Sequence, residues 1–393
     1  MFELAPSFFE LTPEQEGTRR QAREFGEREV APRAAEIDEQ DVFPWDLWHK
    51  MAQPPYRYTG MFIPEEYEGW PRKIFDICLI CEEVTAAGKL ALAGVLMEMP
   101  GVGPTAILKG GNEEQKRKCL PPIVRGEGMG AFALTEPGVG SDAAAISTRA
   151  EYVNGKYVLN GRKRYTSFAS IAMWVVVYAK TGPTKGARGI SAFLVEQPNQ
   201  GFLIIDRVPC MGARGHQDEE VLLQNCTLPK ESLLGEEGKG LKYALATLDE
   251  TRTTLCGGFI GLARAAMEEG INYARERVVF GRPIAQYQGV CFPLAEVAVE
   301  IEAARLLMYK AAWLADKGVR HTAETAAAKV FASQVLLKAT NLAVEVHGGF
   351  GCTKRYPIER MFRDGRVWVF AQGTPNIQKL IVARDLFKPI RIE

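Results

Sequence analysis

The chain has 393 residues, enough for two or three domains and a large buried core, so neither a disulfide scaffold nor a metal-held mini-domain is needed. Lys plus Arg and Asp plus Glu are both 48. That zero balance argues against nucleic acid as a main partner, and 47% hydrophobic residues exclude a disordered chain. The N-terminal run MFELAPSFFELTPEQE carries early acids and no basic-then-apolar signal pattern. No run of 18 apolar residues is read, so no membrane span is expected, and a reducing cytoplasm is the expected compartment. Thr12, Pro13 and Gln15 predict an N-cap, a first-turn proline and a capping residue. Phe75–Ala87 reads as an apolar helix containing Cys78 and Cys81, taken as reduced buried thiols rather than a metal site. The run PGVGPTAILKGG is expected to interrupt the next helix, and Asn112–Leu120 to resume with an acidic start and basic end.

From about residue 131 the pattern changes. Thr148–Leu159 holds an Asn-Gly turn between alternating runs, a strong hairpin signal. Trp174–Ala179, Ile190–Val195 and Glu220–Leu223 read as further strands. Ala295–Asp316 and Thr322–Glu345 return to helical spacing. The expected layout is an N-terminal all-α domain over 1–130, a middle β-barrel-like domain over 131–240, and a C-terminal four-helix bundle over 241–393.

Five separated motifs, in order, resemble the acyl-CoA dehydrogenase family. They are AFALTEPGVGSD (131–142), MGARGHQDEEVLLQNCTLPKESLLG from Met211, RERVVFGRPIAQYQ (275–288), HGGFGCTKRYPIERMFRDGRV from His347 and QGTPNIQKLIVARD (372–385). The resemblance covers nearly the whole chain. It implies a homotetramer with one FAD per subunit, a coenzyme A thioester substrate, α-proton removal by a Glu, β-hydride transfer to the flavin, and electron delivery to an electron-transferring flavoprotein. By that resemblance Leu134 and Thr135 contact the flavin, Tyr165 covers a ring face, and the Ser167 hydroxyl reaches the flavin. Ser141 faces the ribityl or CoA phosphate region. Arg277 and Phe280 reach the FAD of a neighbouring subunit, and a guanidinium forks onto a pyrophosphate. Gln288, Gly348 and Gly349 continue the nucleotide contacts, and Thr374 belongs to the same cofactor set. Asp249 and Arg252 match positions around the CoA adenine, with structural pairing as the other reading of Arg252. Gly373 lies on the substrate side. His347 reads as a packed or capping residue. His216 replaces a common Ser, and Phe168 replaces a small polar residue that it is expected to crowd.

One departure matters most. Where the family carries its catalytic Glu, this chain has Gln372, and the alternative base position holds Thr251. An amide has the reach of a carboxylate but not its basicity. Glu98, in the apolar run LMEMPGVG, is therefore the candidate relocated base, because a Glu buried there has a raised pKa. Glu250 is a weaker candidate, turned about 100° on its helix. The leading expectation is FAD-dependent dehydrogenation of a cyclic or branched acyl-CoA with a non-standard base. A 1,4-dehydrogenation of cyclohex-1-ene-1-carboxyl-CoA is one form of it. Standing beside it are an ordinary dehydrogenase inactivated by a Glu-to-Gln change, an enoyl-CoA reductase or desulfinase-like enzyme, and a non-catalytic CoA-thioester binder. No metal is expected.

Overall fold

The computed structural model describes residues 10–182 and 186–392. The first nine residues, where the absence of a signal pattern was read, lie outside the described residues. Helix α1 (Pro13–Phe25) opens as its sequence predicts: the Thr12 hydroxyl accepts from the Gln15 N–H at 3.2 Å, and the Gln15 side chain returns the bond at 3.0 Å. Short helices α2 (Ala34–Gln40) and α3 (Trp45–Ala52) follow, then α4 (Ile74–Gly88), α5 (Ala91–Gly110) and α6 (Glu113–Val124). The Asn112 side chain and Gln115 form a second capping box at the start of α6.

Helix α5 corrects an expectation. It runs unbroken through Pro100 and Pro104. A proline inside a helix removes one ladder bond and crowds the previous turn. Here α4, strand β1 (Met129–Ala133) and a long C-terminal helix pack around α5, and that burial outweighs the lost bonds. The helix also has the length and mean hydropathy, 1.4, of a membrane span, although Glu98 interrupts its apolar run. Its window is 94% buried inside the protein. Cys78 and Cys81 are buried on α4, where burial raises both thiol pKa values.

The middle region is an eight-stranded sheet. After β1 come β2 (Arg149–Val153), β3 (Lys156–Ser167), β4 (Ala172–Lys180), β5 (Ile190–Glu196), β6 (Phe202–Arg207), β7 (Asp218–Pro229) and β8 (Leu233–Leu234). The spatial order is β6-β7-β3-β2-β4-β5-β8, with β1 parallel to β4. Asn154 and Gly155 make the β2–β3 turn with positive φ at both positions, the geometry that matches strand twist. β1, β6 and the two-residue β8 were not anticipated from the sequence.

The C-terminal region holds the long helices α7 (Gly240–Glu276), α8 (Gln288–Asp316) and α9 (Thr322–His347), then α10 (Ile358–Trp368) and α11 (Pro375–Leu386). A two-strand ribbon, β9 (Val278–Val279) and β10 (Arg282–Pro283), links α7 to α8. α7 packs against α4, α5, α8 and α9, so one apolar core joins the N-terminal and C-terminal helices. Asp364 of α10 fastens three regions together: its carboxylate accepts from Ala91 N–H at 3.0 Å and Ala213 N–H at 2.6 Å.

Candidate active site

The segment between α10 and α11 carries Gln372 in a left-handed conformation, φ +53°, which is costly for a residue with a Cβ. Surrounding groups hold it there. Arg252 of α7 donates from Nε to the Gln372 carbonyl at 3.1 Å, and Gln378 of α11 donates to the same carbonyl at 3.3 Å. Lys329 of α9 donates to the carbonyls of Ala371 and Gly373 on either side. Thr374 spends its hydroxyl capping α11, accepting from Ile377 N–H at 3.3 Å.

The Gln372 side chain points into the helical core. Its Oε1 accepts from the Thr251 hydroxyl at 3.2 Å, and its Nε2 donates to Oε1 of Glu98. The three residues singled out for catalysis, Gln372, Glu98 and Thr251, therefore meet at one point. Glu98 is 6% exposed on α5. Burial pushes its carboxyl pKa up to about 8, and the Lys329 ammonium opposes that rise. Burial likewise lowers Lys329 to about 7, with Arg252 adding repulsion. Sequence reasoning missed Lys329. Its signal was present as a single Lys in the otherwise apolar run TAAAKVFA, the same kind of anomaly that exposed Glu98. Glu250 does not join this group and pairs with Lys109 at 2.6 Å.

Asp249 and Arg252 lie in the third turn of α7 and its successor. Both are bound to protein groups: Arg252 reaches Asp249 at 2.8 Å, and Thr322 donates to Asp249 at 3.0 Å. The guanidinium ties α7 to the Gln372 segment.

Apart from Thr374, the residues assigned to the flavin occupy two places. In the β region, Leu134 and Thr135 follow β1, and both carbonyls are engaged. Lys163 donates to Leu134 O at 3.2 Å, and Arg164 N–H donates to Thr135 O at 2.9 Å. The turn after them is fixed by Glu136, a residue the sequence reading passed over. Burial acts to raise its pKa, but Lys163, Ser147 and Thr148 hold it down at about 2. Tyr165 has φ +55° and stands 53% exposed, free to cover a planar ligand. Ser167 donates to Asp218 at 2.9 Å, and Ser141 is exposed. Phe168 turns into the core between Phe43 and His216, where it was expected to crowd the site.

The second place is a cleft of about 560 Å³ lined by Tyr273, Arg277, Ile284, His347, Gly348 and Gly349 among others. A Cβ added at Gly348 or Gly349 would meet nothing within 4 Å and would project into open space, and Gly348 has φ +57°. A flat ligand can thus approach the backbone directly. Phe280 is 92% exposed beside this cleft on the α7–α8 link, and Gln288 is exposed at the start of α8. His347 is buried, stacks on Tyr273 at 4.2 Å and bonds Ala343 O at 2.8 Å, a packing role. Exposed aromatics, an arginine and open glycines suit the ring, pyrophosphate and adenosine parts of FAD.

Profiles of the acyl-CoA dehydrogenase N-terminal, middle and C-terminal domains match residues 12–127, 131–226 and 238–387. The chain is 40% identical to an acyl-CoA dehydrogenase of Bacillus subtilis (strain 168), over 96% of this chain and 98% of the relative. It is also 40% identical to acryloyl-CoA reductase (NADH) of Anaerotignum propionicum, over 97% and 96%. The solved butyryl-CoA dehydrogenase of Megasphaera elsdenii superposes with a TM-score of 0.91 at 34% identity, covering 97% of this chain and 100% of that one. A further solved neighbour of the same fold carries FAD. The chain belongs to the acyl-CoA dehydrogenases, FAD-dependent oxidoreductases that act on the CH–CH bonds of acyl-CoA thioesters.

Proposed function

We propose that this enzyme dehydrogenates a cyclic or branched acyl-CoA using Glu98, in place of a carboxylate at 372, as its base. A 1,4-dehydrogenation of cyclohex-1-ene-1-carboxyl-CoA is the form that best suits a displaced base. The carrying observation is the meeting of a buried Glu98 carboxyl with the Gln372 amide. The pair is chemically matched. A Glu at 372 would set two carboxylates against each other, and one of them would have to stay protonated. An amide instead donates to Glu98 and leaves it free to take a proton. That complementarity favours a native relocation over an ordinary dehydrogenase disabled at 372.

FAD, when bound, would accept the hydride and would offer a ribityl hydroxyl to the thioester carbonyl. The main-chain N–H of residue 372 is the protein's donor to that carbonyl, and it does not depend on the side chain. Lys329, Arg252 and Gln378 keep the segment that carries this N–H in place. Glu98 takes the proton from a carbon beyond the α position. Leu134, Thr135, Tyr165 and Ser167 form the flavin side of the site. Arg277, Phe280, Gln288, Gly348, Gly349 and Thr374 form the nucleotide side, shared with a neighbouring subunit of a homotetramer. Ser141, Asp249, Arg252 and Gly373 lie toward the CoA thioester, and an electron-transferring flavoprotein is the acceptor partner.

A second reading is reduction of an enoyl thioester. A carboxyl with a pKa of about 8 is largely protonated at neutral pH, and a protonated Glu98 is a proton donor. Anaerobic flavin absorbance separates the readings. Bleaching by a cyclic thioester, lost in Glu98→Gln, supports dehydrogenation. Reoxidation of the reduced enzyme by an enoyl thioester, without bleaching by any saturated one, supports reduction. Bleaching that appears only in Gln372→Glu overturns both.

A further inference from the structure

Helices α5 and α7 run antiparallel. A Cβ added at Gly101 would meet the Thr251 methyl at 3.0 Å, while one added at Gly94 and one added at Gly258 would meet the same Trp368 ring. Seven residues along each helix, in opposite directions, connect these two levels. The Trp368 indole enters from the end of α10, and its benzo edge lies between the two helix backbones. Added Cβ atoms would stand 2.2 Å (Gly94) and 2.3 Å (Gly258) from its Cη2 atom. Only glycine at both positions leaves room for the ring. Phe259 packs edge-on against it at 5.3 Å, and the ring is 4% exposed.

Glu98 lies on α5 between the two levels, one turn from Gly94, or about 6 Å along the helix axis. The indole side is the interior side. α7 is continuously buried from Thr251 to Met267, while α5 is buried throughout from Ala91 to Ile107, so the direction is set by α7. The opposite end opens toward Leu245, 50% exposed, and the surface ion pair of Lys109 with Glu250. An acyl group lying beside Glu98 and extending toward the interior would meet the indole after about one helical turn, about 6 Å.

We propose that Trp368, seated in the Gly94–Gly258 slot, is the specificity-determining stopper of the acyl site and restricts it to short or monocyclic acyl thioesters. This rests on the reading that the acyl group lies beside Glu98. About 6 Å takes a four-carbon chain or a six-membered ring and stops an extended eight-carbon chain.

The test uses FAD-loaded enzyme with butyryl-CoA, octanoyl-CoA and cyclohex-1-enecarboxyl-CoA, with dissociation constants read from the flavin spectral shift. The wild type should hold octanoyl-CoA no more tightly than butyryl-CoA. Trp368→Ala should improve the octanoyl-to-butyryl ratio by about tenfold or more, since each accommodated methylene is worth about fourfold. Trp368→Phe, which keeps an aromatic ring in the slot, should fall between them and carries the test where the alanine variant does not fold. An unchanged ratio in the folded variants overturns the proposal. So does a wild type that already prefers octanoyl-CoA by the full methylene increment. The binding ratio does not require proton transfer. If Glu98→Gln still bleaches its flavin while the Trp368 variants change the ratio, the base assignment falls and the stopper stands.

Discussion

Two buried glutamates on neighbouring helices carry opposite instructions. Glu82, on α4, faces Arg264 at 2.7 Å and Arg305 at 2.7 Å. Burial acts to raise its pKa, but the two guanidinium groups outweigh it and hold the carboxyl below its usual range. Glu98, on α5, has an amide partner and a more distant ammonium, so burial prevails and its pKa rises to about 8. Burial is common to both, and the partner decides the role. A carboxylate clamped by guanidinium groups stays charged and ties helices together. One that meets only an amide can change protonation state near neutral pH, as a proton-transferring group must.

The sharpest way to break this contrast is to neutralise each glutamate in turn. Glu98→Gln should lower the rate of flavin reduction by about 10²–10⁴-fold, the usual loss on removing a general base, with FAD content kept. Rapid-mixing absorbance checks it, and near-wild-type reduction would erase the distinction. Glu82→Gln should do the reverse. Arg264 and Arg305 would lose their shared carboxylate and keep only Glu83 and Glu302, costing about 1–3 kcal/mol in denaturant unfolding while the rate per folded molecule stays near normal.

Gln372→Glu sharpens the comparison by giving Glu98 a like-charged neighbour. The expected result is slower reduction by cyclic thioesters near neutral pH and an upward shift of the midpoint for Glu98 ionisation. Recovery of activity on butyryl-CoA would instead mark an ordinary dehydrogenase. The pH profile follows from the sign of the shift. A base works when deprotonated, so wild-type flavin reduction should rise with pH through about 8, and Glu98→Gln should lack that limb. The smallest effect expected is from Lys329→Met. The ammonium opposes the rise in Glu98 pKa, so its removal should move the limb to higher pH, by a small amount because Lys329 itself loses its proton near about 7. A rate that falls equally at every pH would assign Lys329 only to holding the Ala371–Gly373 carbonyls.

The chain's local chemistry determined much of this protein. The capping residues Thr12 and Gln15, the Asn154-Gly155 turn and the long helical periods reported helix starts, a hairpin and the three-part order, because those signals act over a few residues. Glu98 and Gln372 were each visible as anomalies, a charge in an apolar run and an amide in a fixed motif. The continuity of α5 was not visible, because Pro100 and Pro104 are tolerated only through what packs around them. Nor were the contact of Glu98 with Gln372 across 274 residues, the arrival of Lys329 beside them, or the two glycines that admit Trp368. Those contacts depend on the packing of α5, α7, α9 and α10 against one another. Close packing of distant segments leaves no period or short motif in the chain, so the tertiary structure alone decided which anomaly met which partner.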